Sequence, residues 1–174
     1  MGDSPFWQAK QGVSVDLLAA ELGRRLLEKR AFLAVAESCT GGLIAKFVTD
    51  VAGSSSWFER GLVTYSNQSK QDLLGVSPEI LAQFGAVSRE TAEAMARGLL
   101  VMTPADWGLS VTGIAGPGGG SPEKPVGLVW MAWAQRGGLV GSNYMQFSGE
   151  REQVREAAAE AALQGLLERL KKSA

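Results

Sequence analysis

Blocks of apolar residues recur along this chain at spacings that predict helices separated by short strands. Leucines at the spacing of one helix face in residues 13–30 predict an amphipathic helix that ends in a basic turn. The continuous apolar run at residues 31–36 predicts a strand that is buried on both faces. Apolar stretches of similar length predict further strands over residues 62–65, 107–112, 126–134 and 139–147.

Capping and turn residues mark the ends of the other predicted elements. Ser77 followed by Pro78 is typical of an N-cap and a first helical position, and Ser88 is typical of a second N-cap. The glycine pair at 137–138 predicts a hairpin between the last two strands. The helices predicted after the first one cover residues 43–51, 68–74, 78 onward, 88 to about 102, and 150–172.

Helices that alternate with short apolar strands are typical of α/β proteins. We therefore predict a single-domain, layered α/β/α fold with a mixed β-sheet. The domain is expected to cover residues 13–174, and residues 1–12 are expected to form a poorly ordered N-terminal extension. A chain of 174 residues is long enough to bury a core of its own.

Composition and charge limit the kinds of molecule that this protein is expected to bind. The net charge is −1 and no basic run stands out, so neither a nucleic acid nor a membrane surface is predicted as a partner. No apolar stretch approaches the ~20 residues that a membrane helix needs, and the first residues lack the pattern of a secretory signal. Cys39 is the only cysteine, so no intrachain disulfide can form. These features predict a cytoplasmic protein.

The chain contains no histidine. This excludes every Ser-His-Asp and Cys-His catalytic arrangement and almost all zinc chemistry. A hydrolase built from this sequence has to find its general base among Lys, Tyr, Asp and Glu. We therefore expect neither a metal ion nor a cofactor at the site.

The first candidate segment is Ala-Glu-Ser-Cys-Thr-Gly-Gly at residues 36–42. It places the Ser38 hydroxyl at the end of a buried strand and just before a helix, where open α/β sheets bind their ligands. The alternative is that the hydroxyls only cap the helix and the glycines allow close packing. Cys39 is more simply a small buried side chain than a reactive thiol, because no histidine is available to activate it.

The second candidate segment, residues 64–70, holds Tyr65 at the end of the next predicted strand and Lys70 just after that strand. If the two strands are parallel neighbours, Lys70 lies at the same edge of the sheet as Ser38. The alternative is a solvated surface lysine. A Tyr-Lys pair also occurs in short-chain dehydrogenases, but the spacing here is five residues rather than four and the N-terminal glycine motif is missing, which excludes that class.

The third candidate segment is the glycine-rich stretch at residues 111–121. Its backbone amides could surround a phosphate or a ribose. It is not a Walker A loop, since no Gly-Lys-Ser/Thr follows, and it is not followed by the helix that a Rossmann fingerprint requires. A mobile surface loop is the alternative interpretation.

Taken in order, these segments resemble the carboxy-terminal domain of CinA-type proteins, a family that includes stand-alone nicotinamide-nucleotide amidases. The resemblance implies hydrolysis of the carboxamide of nicotinamide mononucleotide in pyridine-nucleotide recycling, by a Ser/Lys mechanism without a metal. It places the nucleophile on Ser38, the lysine on Lys70, the tyrosine on Tyr65 and a further hydroxyl on Thr112. The matching blocks are AESCTGGLIAK, DVAGSSSWFERGLVTYSNQSK, FGAVS, VTGIAGPGGGSPEKPVGLVW and FSGEREQVR.

The chemistry of amide hydrolysis is consistent with these residues. An unactivated amide needs a strong nucleophile, an oxyanion site and a proton for the departing ammonia. A lysine can transfer both protons if burial or a nearby cation lowers its pKa to roughly 7–8. Tyr65 could relay a proton or fix the Lys70 amine. The backbone N–H groups of Thr40, Gly41 and Gly42 are expected to bind the oxyanion.

Two cations are candidates for binding the phosphate of the substrate, with ordinary surface charge as the alternative. They are Arg151, at the start of the last predicted helix, and Lys124. The loop residues Gly113, Gly116 and Gly118 are also predicted to contact the substrate. We expect a homo-oligomer, with a dimer favoured. Two other functions stay open, a non-catalytic nucleotide-binding or interaction module and an amidase for another nucleotide amide.

Overall fold

The computed structural model describes residues 14–172, which form six α-helices and five strands. The expected extension at residues 1–12 lies outside the described residues. The helices are α1 (Val15–Glu28), α2 (Leu43–Thr49), α3 (Asn67–Leu74), α4 (Pro78–Phe84), α5 (Arg89–Met102) and α6 (Arg151–Lys172). The strands are β1 (Leu33–Glu37), β2 (Phe58–Val63), β3 (Trp107–Gly113), β4 (Leu128–Gln135) and β5 (Val140–Gln146).

The strands form one mixed sheet in the order β2-β1-β3-β4-β5. Strand β1 runs parallel to both of its neighbours, β2 and β3, whereas β3–β4 and β4–β5 pair antiparallel. The predicted α/β fold with a mixed sheet is therefore confirmed. Because β1, β2 and β3 are parallel, their carboxyl ends meet at one edge of the sheet, and the segments that follow them are brought together.

The two faces of the sheet carry side chains of different size. Large side chains such as Leu33 and Val35 point toward the core that the sheet shares with α1, α2 and α6. The opposite face is lined by small residues such as Ala34 and Ala36, and α3, α4 and α5 cover it. At Gly108 an added Cβ would lie 2.6 Å from the Ala96 carbonyl oxygen, so the small residues let α5 approach the sheet closely.

Helix α3 also lies directly against the backbone of α5. A Cβ added at Gly98, in α5, would lie 2.0 Å from the carbonyl oxygen of Leu74 at the end of α3. Only a glycine allows this approach, because every other residue would push the two helices apart. The contact matters for the site, since α3 carries Lys70.

The predicted boundaries are correct to within a few residues for most elements. The exception is β2, which was expected at residues 62–65 and is observed at Phe58–Val63. This strand lies at an edge of the sheet, where Glu59 and Arg60 form an ion pair, and these charges hide the apolar pattern. A short 3₁₀ helix at Ser54–Ser56 was not predicted. Within residues 14–172, no helix is both long and apolar enough to cross a lipid bilayer.

Candidate active site

The segment that carries Ser38 is held by the strands on both sides of it. Strand β1 ends at Glu37, whose carbonyl oxygen accepts a 2.8 Å hydrogen bond from the N–H of Thr64, just beyond β2. The N–H of Ser38 donates to the carbonyl oxygen of Val111 in β3 at 3.0 Å. Main-chain bonds to two neighbouring strands therefore position Ser38 at the carboxyl edge of the sheet.

Lys70 reaches the same edge from α3, which begins shortly after β2. Ser66 caps this helix, and its hydroxyl accepts a hydrogen bond from the N–H of Ser69 at 3.0 Å. The Lys70 side chain is only 1% exposed, and its Nζ lies 3.1 Å from Ser38 Oγ. Strands β1 and β2, which precede Ser38 and Lys70, are parallel neighbours. The sequence predicts that the two side chains lie at the same sheet edge if these strands pair in this way.

The surroundings of Lys70 make its neutral amine easier to form than in a free lysine. Burial lowers the pKa of Lys70 to about 8, with a smaller opposing effect from Cys39. Its Nζ also lies 2.7 Å from the carbonyl oxygen of Thr64 and 3.5 Å from that of Tyr65. A neutral amine can donate its two hydrogens to these carbonyl oxygens and accept the Ser38 O–H with its lone pair. Burial raises the pKa of Cys39 to about 12, so its thiol stays protonated near neutral pH.

Ser38 and Lys70 lie at the inner end of a cavity with a volume of about 270 Å³. Eight of the predicted site residues line it, namely Ser38, Tyr65, Lys70, Thr112, Gly113, Gly116, Gly118 and Arg151. The remaining lining residues are Cys39, Ala86, Val87, Ile114, Ala115 and Gly119. Among residues 14–172, no three Cys, Asp or Glu side chains come together in a way that could hold a metal ion.

Of the three predicted oxyanion donors Thr40, Gly41 and Gly42, the two glycines need correction. The three residues do not line the cavity, and the N–H groups of Gly41 and Gly42 already have acceptors. Gly41 donates to the carbonyl oxygen of Ser38 at 3.1 Å, and Gly42 donates to the Glu37 carboxylate at 3.1 Å. The N-cap of α2 is Gly42 rather than a hydroxyl residue, so the capping role considered for Ser38 is also wrong.

Tyr65 does not occupy the position expected of a proton relay. Its side chain is 61% exposed, and its hydroxyl accepts a hydrogen bond from Arg151 Nη2 at 3.1 Å. The group that faces Lys70 is the backbone carbonyl of Tyr65. Arg151 also donates from Nη1 to the carbonyl oxygen of Gly116 at 2.7 Å. Tyr65, Arg151 and the glycine-rich loop thus meet at the outer end of the cavity.

Thr112 and Lys124, which are also predicted to contact the substrate, lie in different places. Thr112 lines the cavity, is 1% exposed and donates its hydroxyl hydrogen to the carbonyl oxygen of Ala86 at 2.7 Å. Its hydroxyl oxygen can still accept a hydrogen bond. Lys124 lies instead in a neighbouring groove, where its Nζ donates to the carbonyl oxygen of Phe84 at 2.6 Å. Lys124 therefore does not line the cavity that holds Ser38 and Lys70.

Several residues of the site were missed by reasoning from the sequence. Ala86 and Val87 belong to the FGAVS block, whose place between two predicted helices was the available signal. Glu37 and Arg155 flank the Ser38 segment without lining the cavity, and no spacing in the sequence connects them. Arg155 is the last residue of the FSGEREQVR block.

Comparison with known proteins gives consistent matches over most of the chain. Residues 15–170 match the family profile described as the CinA C-terminal domain. The chain is 55% identical over 150 residues to the nicotinamide-nucleotide amidohydrolase PncC of Enterobacter agglomerans, covering 86% of this chain and 92% of that protein. It is 51% identical over 149 residues to the Escherichia coli K12 protein of the same name, covering 86% and 90%. The competence/damage inducible protein CihA from Agrobacterium tumefaciens has a similar structure, with a TM-score of 0.88, 44% identity and coverage of 94% and 99%.

Proposed function

Because the chain belongs to the CinA C-terminal domain family, we propose that it is a nicotinamide-nucleotide amidohydrolase. It converts nicotinamide mononucleotide and water to nicotinic acid mononucleotide and ammonia, as a step in pyridine-nucleotide recycling. The observation that carries the proposal is the 3.1 Å contact between Ser38 Oγ and the buried amine of Lys70. Relatives that are 51–55% identical and named for this activity support the choice of substrate.

The wider setting of the enzyme is part of the same proposal. Residues 13–174 act as one catalytic domain, which the match of the family profile to residues 15–170 supports. The enzyme works in the cytoplasm as a homo-oligomer, most simply a dimer. It requires neither a metal ion nor a cofactor, because a serine and a neutral lysine supply the nucleophile and both proton transfers.

Acylation begins with transfer of the Ser38 hydroxyl proton to the neutral Lys70 amine as Ser38 Oγ attacks the carboxamide carbon. The carbonyl oxygen becomes an oxyanion. The Lys70 ammonium then gives its proton to the amide nitrogen, the C–N bond breaks and ammonia leaves. An ester between Ser38 and the nicotinoyl group remains, and Lys70 is neutral again.

Deacylation repeats the sequence with water as the nucleophile. Lys70 takes a proton from the attacking water, and it returns the proton to Ser38 Oγ when the ester bond breaks. The carboxylic acid product leaves and the resting enzyme is restored. One buried lysine with a pKa of about 8 is suited to both directions of transfer, because its amine is a stronger acid when protonated than that of a free lysine and is partly neutral near neutral pH.

The oxyanion is bound by backbone N–H groups that follow Ser38. Within residues 14–172, neither the N–H of Cys39 nor that of Thr40 donates to a backbone carbonyl oxygen, and the Cys39 N–H faces only its own thiol. Cys39 is next to Ser38 and lines the cavity. The residue after the nucleophile supplies one oxyanion donor in other strand-turn-helix hydrolases as well. We assign the oxyanion site to these two N–H groups in place of Gly41 and Gly42.

The phosphate of the nucleotide binds at the outer end of the cavity. Arg151 supplies a guanidinium group there, and its two described hydrogen bonds leave further N–H donors. In the part of the chain that the structure describes, the N–H groups of Gly118 and Gly119 have no acceptor. A cation beside free backbone amides suits a phosphate dianion.

An assay of ammonia release tests the proposed function. The purified protein is incubated with nicotinamide mononucleotide, nicotinamide riboside, the dinucleotide and free nicotinamide, and the products are separated by chromatography. We expect ammonia and an equal amount of nicotinic acid mononucleotide from the mononucleotide only. Binding of the mononucleotide without release of ammonia would instead identify a nucleotide-binding module. Release from another amide alone would contradict the choice of substrate.

A further inference from the structure

The turn after Ser38, residues 38–42, is fastened at its far end by the side chain of Glu37. The two carboxylate oxygens accept three hydrogen bonds, from the N–H groups of Gly42 at 3.1 Å, Ile44 at 3.1 Å and Ala45 at 2.9 Å. The Glu37 side chain is only 1% exposed. The residue that immediately precedes the nucleophile therefore reaches over the turn and binds the first backbone amides of α2.

A second charged side chain holds the same turn from α6. Arg155 donates from Nε to the carbonyl oxygen of Cys39 at 3.1 Å and from Nη2 to that of Thr40 at 3.0 Å. In a trans peptide the N–H and C=O groups point in opposite directions. By fixing the Cys39 carbonyl, Arg155 also directs the Thr40 N–H away from α6.

We propose that Glu37 and Arg155 are positioning residues, which hold the turn so that Ser38 Oγ and the N–H groups of Cys39 and Thr40 keep the geometry needed for attack. This inference rests on the proposed function for the role of Ser38. Neither side chain lines the cavity, so each acts through the backbone rather than on the substrate.

The type of hydrogen bonding supports a positioning role over simple helix capping. Serine hydroxyls cap α1, α3, α4 and α5. Within residues 14–172, α2 is the only helix whose first N–H groups are bound by a buried carboxylate, which accepts three hydrogen bonds. Burying a charge is costly, and here the charge makes the turn rigid beside the nucleophile. Arg155 adds two charge-assisted bonds to a turn of five residues.

The substitution Glu37→Gln tests the proposal while keeping the size of the side chain. Glutamine has one oxygen acceptor, and its NH₂ group would face backbone N–H groups that also donate. We expect kcat to fall by about 10- to 100-fold, as for a misplacement of reacting groups by about 1 Å, with KM changed less than threefold. Arg155→Lys cannot bind both carbonyl oxygens at once, and we expect the same selective fall in kcat to a smaller extent.

A covalent probe separates positioning from loss of folded enzyme. Diisopropyl fluorophosphate reacts with an activated serine, forming an O–P bond at Ser38 as fluoride leaves, and its reaction does not depend on a nicotinamide substrate. Mass spectrometry gives both the fraction of enzyme labelled and the rate of labelling. We expect the Glu37→Gln and Arg155→Lys enzymes to be labelled almost completely but at least tenfold more slowly than the wild type.

Ser14→Ala is the matched control, because it removes the N-cap of α1, whose Ser14 hydroxyl accepts from the N–H of Leu17 at 3.4 Å. Its labelling rate and kcat should equal those of the wild type. Unchanged rates in the folded Glu37 and Arg155 variants, or a loss explained entirely by a smaller labelled fraction, would overturn the proposal. A wild-type enzyme that is labelled at Ser38 but hydrolyses no nicotinamide nucleotide would contradict the proposed function alone, and the labelling rates would still decide on Glu37. Absence of labelling at Ser38 in the wild type would overturn the nucleophile and this inference together.

Discussion

The inner and outer ends of the cavity are built in different ways. At the inner end, Ser38 and Lys70 are almost fully buried and follow parallel strands whose main chains hold them. At the outer end, Tyr65 and Arg151 are exposed, and one hydrogen bond joins their side chains. Buried groups have displaced pKa values and fixed distances, whereas exposed groups keep freedom to adjust. Under the proposed function, the inner end carries out the chemistry and the outer end recognises the nucleotide.

Removal of the nucleophile should have the largest effect. We expect Ser38→Ala to lower kcat by about three orders of magnitude or more, because no other side chain can form the ester. Folding should survive, since Ser38 Oγ caps no helix and its one described partner is Lys70. Turnover and thermal unfolding of the variant check both points. A folded variant with near-normal turnover would refute the assignment.

Lys70→Arg should be almost as severe. Arginine keeps the positive charge but does not deprotonate in proteins, so the loss should be about 10²- to 10⁴-fold, the usual contribution of a general base. Binding of the mononucleotide, measured by calorimetry, should remain detectable because recognition lies at the outer end. Lys70→Ala should be equally inactive. An arginine variant with a tenth of the normal rate would show that charge alone matters at the inner end.

The pH dependence of the rate tests whether Lys70 acts as a general base or only as a positive charge. Burial lowers the pKa of Lys70 to about 8, and only the neutral amine can accept the Ser38 proton. The value of kcat/KM should therefore rise about tenfold per pH unit below this pKa and level off above it. Initial rates from pH 6 to 10 would reveal this single ionisation. A rate that falls as the pH rises through 8 would require a protonated Lys70 and exclude it as the base.

Changes at the outer end should be smaller and should affect KM. Arg151→Gln removes a charged donor from an exposed position, so KM should rise about tenfold with kcat changed little. Lys124→Gln is the control, since Lys124 lies in the neighbouring groove and not in this cavity. The KM of the Lys124→Gln enzyme should equal that of the wild type. Equal effects of the two substitutions would mean that overall charge, rather than a local contact, attracts the substrate.

The sequence allowed the fold and the inner end of the site to be predicted better than the oxyanion donors. The spacing of apolar residues and the capping residues are local features of the sequence, so they located the helices and most strands. The parallel pairing of β1 and β2 places Ser38 beside Lys70. The hydrogen bonds of the turn depend on how side chains are oriented in the folded protein. Glu37 accepts from N–H groups five to eight residues further along the chain, and Arg155 in α6 donates to the carbonyl oxygen of Thr40 from 115 residues away. No pattern in the segment itself reveals either contact.

The close contact between α3 and α5 has a consequence for reading natural variation. A Gly98→Ala change would place a methyl carbon 2.0 Å from the Leu74 carbonyl oxygen, so α3 has to move. Alanine is the better helix former, and a substitution table would score the change as harmless or favourable. Yet Lys70 lies four residues before Leu74 on the displaced helix, and its amine would leave Ser38. A loss of activity in a variant strain can therefore arise from an apparently benign allele at a position that touches neither substrate nor cavity.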